Sequence, residues 1–202
     1  MCYYVPMRGI HMSNWDQHFM NMARLVADKS KDRSTKVGCV IATQDNAVVS
    51  TGYNGFPRGC FDDASAVERH FDTRYFGQDS SHLGRTDQEL DEMAVLQISV
   101  ESRHDRPAKY KWTEHAERNA IYSVARNGGT KLRGCKIYVP WFPCVDCARA
   151  IIQSGISAVY AYEPDFNDPR WGADFKIAVE MFEEAGVVTV YVQKDQAGNS
   201  GA

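Results

Sequence analysis

Residues 135–162, CKIYVPWFPCVDCARAIIQSGISAVYAY, hold a strand-like run (CKIYVP), a helical segment from Cys144 to about Ser154, and a second strand-like run (SAVYAY). A helix between two strands is the crossover that parallel neighbours need, so this stretch predicts an α/β fold. Immediately upstream, residues 114–129, EHAERNAIYSVARNGG, read as a helix entered at His115. It ends at NGG, where Asn127 and Gly128 tolerate the left-handed conformation that terminates helices. Downstream follow a helix after Trp171 and a last strand, VVTVYV (187–192). Near the start, a helical period runs through Trp15, Phe19, Met22, Leu25 and Val26, with Ser13 or Asn14 as its cap. VGCVIAT (37–43) and AVVSTG (47–52), joined by QDN, read as a β-hairpin.

The turn-rich loop GYNGFPRG (52–59) leads into a polar stretch from about residue 61 to 110. That stretch carries charge clusters, His70, His82, His104 and one short apolar patch, MAVLQISV (93–100). Strands alternating with helices imply a sheet covered on both faces. The organisation expected is a single catalytic domain over 13–193 with an insertion at about 61–110, and tails at 1–12 and 194–202.

The 202 residues suffice for one domain with a substantial core. Hydrophobic residues are 44% and charged residues 24%, and no apolar run approaches the roughly 18 residues of a membrane span. The net charge of −3 lacks the broad basic footprint of a protein that lives on a phosphate backbone, so no nucleic-acid or membrane partner is expected. Small anionic ligands need only a few local cations. Six cysteines without a secretory leader point to a reducing compartment and a cytoplasmic location, where Cys-x-x-Cys is metal-binding or redox-active sooner than a disulfide.

Pro143, Cys144 and Cys147 form Pro-Cys-x-x-Cys at a helix start. Two thiols three apart on one helix face can reach one ion, and the positive helix end favours thiolates. By itself the pair has two other readings, a redox dithiol and two buried small residues. His115 adds a third ligand, and a His-Cys-Cys set leaves zinc an open fourth position for water, the catalytic pattern. Glu117, two residues from that ligand, then has proton transfer as its role. The alternative makes His115 a helix cap and Glu117 a solvated first-turn acid. His115 and Glu117 begin one helix and Cys144 and Cys147 the next, so parallel helix starts bring all four to one sheet end.

H-x-E followed by P-C-x-x-C is the signature of zinc nucleobase deaminases. With TKVGCVIATQDNAVVSTGYNGFPRGC (35–60), HAERNAI (115–121) and WFPCVDCARAIIQSGI (141–156), the chain from Trp15 to about Val192 resembles the deoxycytidylate (dCMP) deaminases of the zinc-dependent cytidine/deoxycytidylate deaminase family. GYNGFPRGC is the discriminating piece, since tRNA adenosine deaminases share the zinc motif without usually carrying this loop. The resemblance implies a cytidine-deaminase-like three-layer α/β/α sandwich, with a mixed five-stranded sheet and the insertion before the catalytic helix. It also implies hydrolytic deamination of dCMP to dUMP, the precursor of thymidylate, with one catalytic zinc per chain held by His115, Cys144 and Cys147. Water attacks C4 of the ring, and Glu117 protonates N3 and then the departing amine.

Asn54 matches the family's substrate-contacting asparagine, though by sequence alone it is a turn residue before glycine. Ala116 is expected to offer its backbone amide to the base. Lys31 and Arg33, among Lys29 to Lys36, are the candidates for the phosphate, with simple solvation as the alternative. Arg118 departs from the family's usual apolar residue. Trp141 and Phe142 are read as either pocket walls or core.

Many family members are homohexamers switched on by dCTP and off by dTTP, with magnesium, near this loop. Gly52, Tyr53, Gly55, Pro57 and Gly59 are retained as the effector candidates, with a turn-and-packing role as the alternative. A second zinc, known in some phage members, finds only Ser30 and Thr113 in the corresponding positions. His70, His82, His104 and Cys60 are the residues left to build a different one. A 5-substituted dCMP is the close alternative substrate; a base in tRNA or single-stranded DNA, and a non-catalytic zinc module, are the more distant readings.

Overall fold

A computed structural model describes residues 12–76, 86–129 and 131–193. The expected tails, apart from Met12, lie outside these residues, as does His82. Five strands, β1 (Gly38–Ala42), β2 (Val48–Tyr53), β3 (Lys136–Val139), β4 (Ala158–Tyr162) and β5 (Val188–Val192), form one sheet in the order β2-β1-β3-β4-β5. β1 runs antiparallel to β2 and β3, while β3, β4 and β5 are parallel. The helices are α1 (Asn14–Ala27), α2 (Ala64–Phe76), α3 (Asp87–Ser102), α4 (Lys109–Trp112), α5 (Ala116–Arg126), α6 (Val145–Gln153) and α7 (Gly172–Glu184).

The chain divides into two compact units. One is made of the described residues up to Ser30, Thr35–Asn54 and those from His115 onward; the other is Lys31–Ser34 with Gly55–Glu114. The first contains the sheet. All five residues of β1 are buried, because the strand is covered on both faces. Cys39 and Ile41 join Ile137, Val139, Ala120 and Ile151 in the main core, under α5, α6 and α7. Val40 and Ala42 point the other way, onto Phe19 and Ala23 of α1 and onto Tyr138. This is the three-layer α/β/α sandwich with the mixed sheet expected above.

Two close approaches set the layers. A side chain on Gly38 would meet the Ala23 carbonyl oxygen at 2.1 Å, and one on Gly52 the Ala116 carbonyl oxygen at 2.3 Å. Only a residue without Cβ lets α1 lie on β1 and α5 on β2 at these separations. α1 starts with a capping box between Ser13 and Asp16, and Tyr138 donates to the same Asp16 at 2.6 Å. Its buried stripe is Phe19, Met20, Ala23 and Ala27, while Trp15 and Leu25 of the expected period are exposed. The small residues face the sheet because the helix comes close there. At the end of α5 it is Gly128, at φ +87°, that turns left-handed, whereas Asn127 stays at φ −92°.

The second unit contains α2, α3 and α4, with its own small core of Val67, Phe71 and Val100. Phe61, Met93 and Leu96 pack against that core.

Candidate metal centre

α5 and α6 each begin with a residue that does not cap its helix in the usual way. His115 is the N-cap of α5 and Cys144 that of α6, both extended, and neither side chain bonds its own first turn. Their backbones still serve the helices, with Asn119 N–H donating to the His115 carbonyl at 2.9 Å and Ala148 N–H to that of Cys144 at 2.8 Å. The side chains are thus released toward one point. Cys144 Sγ and Cys147 Sγ each lie 3.5 Å from His115 Nδ1, and the three ligand atoms all fall within 4.8 Å of one another.

These distances fit zinc. An ion at about 2.05 Å from nitrogen and about 2.3 Å from sulfur, with tetrahedral angles, puts N···S at about 3.6 Å. Nδ1 is the ring nitrogen placed to ligate. Among the described residues this is the one group of three or more such side chains placed to hold a metal. His70 instead packs on Phe61 and Phe71, His104 bonds the Asp62 carbonyl at 2.7 Å, and Cys60 is exposed. Ser30 donates to the Asn54 carbonyl, and the Thr113 amide to that of Lys109.

The electrostatics suit a cation. Cys144 is pulled down to about 4, first by its hydrogen bond with Cys147 and then by His115. The hydrogen bond with Cys144 raises the His115 imidazole above its ordinary value. Glu117, in the first turn of α5, is only 4% exposed, and burial lifts its carboxyl above the usual range. His115 and Cys147 act on it in the opposite sense, so the carboxyl stands beside the residues placed to hold a metal. A buried carboxyl raised in this way binds a proton more readily than a solvated one, which suits a group that must accept a proton and return it.

The remaining candidates are placed as follows. Ala116 is fully buried at the first position of α5, against Gly52. Asn54 is 7% exposed and braces the segment before β1: its Oδ1 accepts from Val37 N–H at 2.8 Å, and its Nδ2 donates to the Thr35 carbonyl at 2.9 Å. The Tyr53 carbonyl accepts from Asn119 Nδ2 at 2.8 Å. Gly55 exchanges two backbone bonds with Glu114, Cys60 N–H turns back to the Pro57 carbonyl, and Gly59 sits at φ +89°.

Lys31 pairs with Asp62 and Asp63, and Arg33 with Glu101, all within the second unit, so both phosphate candidates already face carboxylates. Arg118 lies 3.5 Å from Asp146 at the paired starts of α5 and α6. Phe142 is core, packed on Phe175, Phe182 and Tyr191, while Trp141 is 39% exposed. Sequence reasoning passed over Asn119 and Trp171. The Trp171 ring lies edge-on to the His115 ring at 6.4 Å, a contact that no local pattern signals.

Residues 13–82 and 90–163 match the model of the cytidine and deoxycytidylate deaminase zinc-binding region. The chain is 37% identical over 186 residues to an Aliivibrio fischeri protein named "Uncharacterized deaminase in luxG 3'region", covering 91% of this chain and 97% of that one. It is 33% identical over 173 residues to the deoxycytidylate deaminase of Homo sapiens, covering 86% and 76%. The crystal structure of dCMP deaminase from the cyanophage S-TIM5 in complex with dCMP and dUMP superposes with a TM-score of 0.56. That likeness, at 18% sequence identity over 90% of this chain and 100% of the other, is one of fold.

Proposed function

The chain belongs to the cytidine and deoxycytidylate deaminase zinc-binding family and is an enzyme, and on that premise we propose that it hydrolyses dCMP to dUMP with release of ammonia. The observation that carries this reading is the convergence of His115, Cys144 and Cys147 beside a buried Glu117. The named substrate of the human relative supports the choice of nucleotide, and the acidic net charge speaks against a polymer.

His115 Nδ1 and the two thiolates would hold the metal. When bound, zinc supplies the Lewis acidity that lets water act as a nucleophile near neutral pH. Glu117 takes the proton that the water gives up and delivers it to N3 of the cytosine ring. Once the C4–O bond has formed, Glu117 takes the remaining proton of that hydroxyl and passes it to the amine; the C4–N bond then breaks, ammonia leaves and C4 becomes a carbonyl. The α5 and α6 starts direct their positive ends at the site and favour the thiolate form of the ligands. Ala116 offers its backbone amide to the base.

The retained loop, Gly52, Tyr53, Gly55, Pro57 and Gly59, supports an extension of the proposal, in which dCTP activates and dTTP inhibits with magnesium, in a cytoplasmic homohexamer. The 61–110 stretch is then an insertion in a catalytic domain over 13–193. Ammonia release is measured from dCMP, cytidine, 5-methyl-dCMP and a tRNA, with and without dCTP. Turnover of dCMP above the others is the expected result. A preference for 5-methyl-dCMP shifts the substrate to the 5-substituted nucleotide, and turnover of tRNA alone overturns the proposal. A rate unchanged by dCTP removes the regulatory extension.

A further inference from the structure

We infer that Trp171 is a positioning residue that holds the His115 ring with Nδ1 toward the two thiols; the inference rests on the zinc reading above. The backbone of His115 is fixed as the N-cap of α5, but that leaves the imidazole two side-chain torsions to settle. A swing about either carries Nδ1 away from the point that lies 3.5 Å from both sulfurs. What meets the ring is the indole of Trp171, with centroids 6.4 Å apart and planes at 71°, the edge-to-face arrangement that aromatic pairs prefer. Groups that orient a metal-ligating histidine matter to the metal nearly as much as the ligands do.

The segment between β4 and α7 is built to place that indole. Trp171 is the N-cap of α7, and its side chain takes no part in capping the helix. Its amide, and that of Arg170, each donate to Asp168 Oδ1 at 2.8 Å. Asp165 braces the turn before it, accepting from Asn167 N–H at 2.9 Å, while Asp168 N–H donates to the Asp165 carbonyl at 3.1 Å. Gly172 N–H closes back onto the Asp168 carbonyl at 2.9 Å. A Cβ on Gly172 would lie 2.5 Å from the Phe166 carbonyl oxygen, so the helix start is pressed against the turn that precedes it. Phe166 and Trp171 both pack on the main core. A segment this braced, ending in one ring against a ligand, fixes that ligand's orientation.

The test is zinc affinity, by competition with a chromophoric chelator, together with the visible spectrum of the cobalt(II)-loaded chain, for wild type, Trp171→Phe, Trp171→Ala and Asp168→Ala. Circular dichroism and thermal melting run alongside. Expected are zinc binding about tenfold weaker in Trp171→Ala with a shifted cobalt band, wild-type affinity within about twofold in Trp171→Phe, and an intermediate loss in Asp168→Ala. Should Trp171→Ala fail to fold, Asp168→Ala and Trp171→Phe decide between the same outcomes. Zinc affinity within twofold of wild type in every folded variant, with an unmoved cobalt band, overturns the inference even if melting falls. A wild-type chain that takes up no zinc overturns the metal reading itself and the inference with it.

Discussion

Cys147 lies on the first turn of α6, fully inside the protein, with its thiol 3.5 Å from His115 Nδ1, the separation that a shared zinc ion requires. Cys147→Ser is therefore expected to lower zinc in the purified chain far below one equivalent and to remove turnover. Cys60→Ser, at an exposed thiol, is expected to leave both unchanged. Metal analysis beside an ammonia assay reads the two together. The motif spacing named His115, Glu117, Cys144 and Cys147 because each pair shares one helix start, and that placement is local. Asn54 shows where such reasoning stops. By residue type and loop it is a turn residue, and its substrate contact comes from the resemblance alone; that its amide spans Thr35 and Val37 is set by where the chain before β1 happens to pass. Trp171 was equally invisible, since its ring meets His115 only after β3, α6 and β4 have folded.

Among the elements, the interface of α5 on β2 matters most to the site, because α5 carries both His115 and Glu117. Gly52→Ala forces a Cβ into the backbone of Ala116 and Ala120 at 2.3 and 2.4 Å. Overpacking of this kind costs about 1–3 kcal/mol or more, since backbone rather than a flexible side chain must yield. Chemical denaturation is expected to show that loss, and turnover to fall further than stability alone explains, because α5 shifts. Gly38→Ala meets a similar clash with α1, on the sheet face opposite α5 and α6, and serves as the comparison: destabilised, with zinc retained.

The strands and flanking helices were readable because period and punctuation agreed: KIYV, AVYAY and VTVYV sit between glycine turns and amphipathic helices. α2, α3 and α4 were not, for a physical reason. The core that α2 and α3 share is small, and α3 leaves Leu90, Val95 and Ile98 exposed, so its apolar residues trace no single stripe. The polar composition of the 61–110 stretch belongs to helices that bury little.

For the molecule as a whole, charge is arranged within the second unit. Lys109 is 8% exposed, and its ammonium bonds both oxygens of Asp32, at 2.7 and 2.8 Å, as well as Ser34. Lys109→Ala takes the cation away from that largely buried carboxylate, which Ser34 still bonds at 2.8 and 3.0 Å, so a loss of about 3–5 kcal/mol is expected in denaturant unfolding. Arg33→Ala breaks an exposed pair and is expected to change stability by less than about 1 kcal/mol. Equal losses in the two would contradict this account of the unit. The proposed division of roles in the loaded enzyme is that three side chains hold zinc and a fourth moves protons. It is tested most directly by Glu117→Gln, measuring zinc per chain and dCMP turnover on the same sample. The account predicts one zinc retained and turnover about a hundredfold to ten-thousandfold lower. Full zinc with turnover within a few fold of wild type would contradict it.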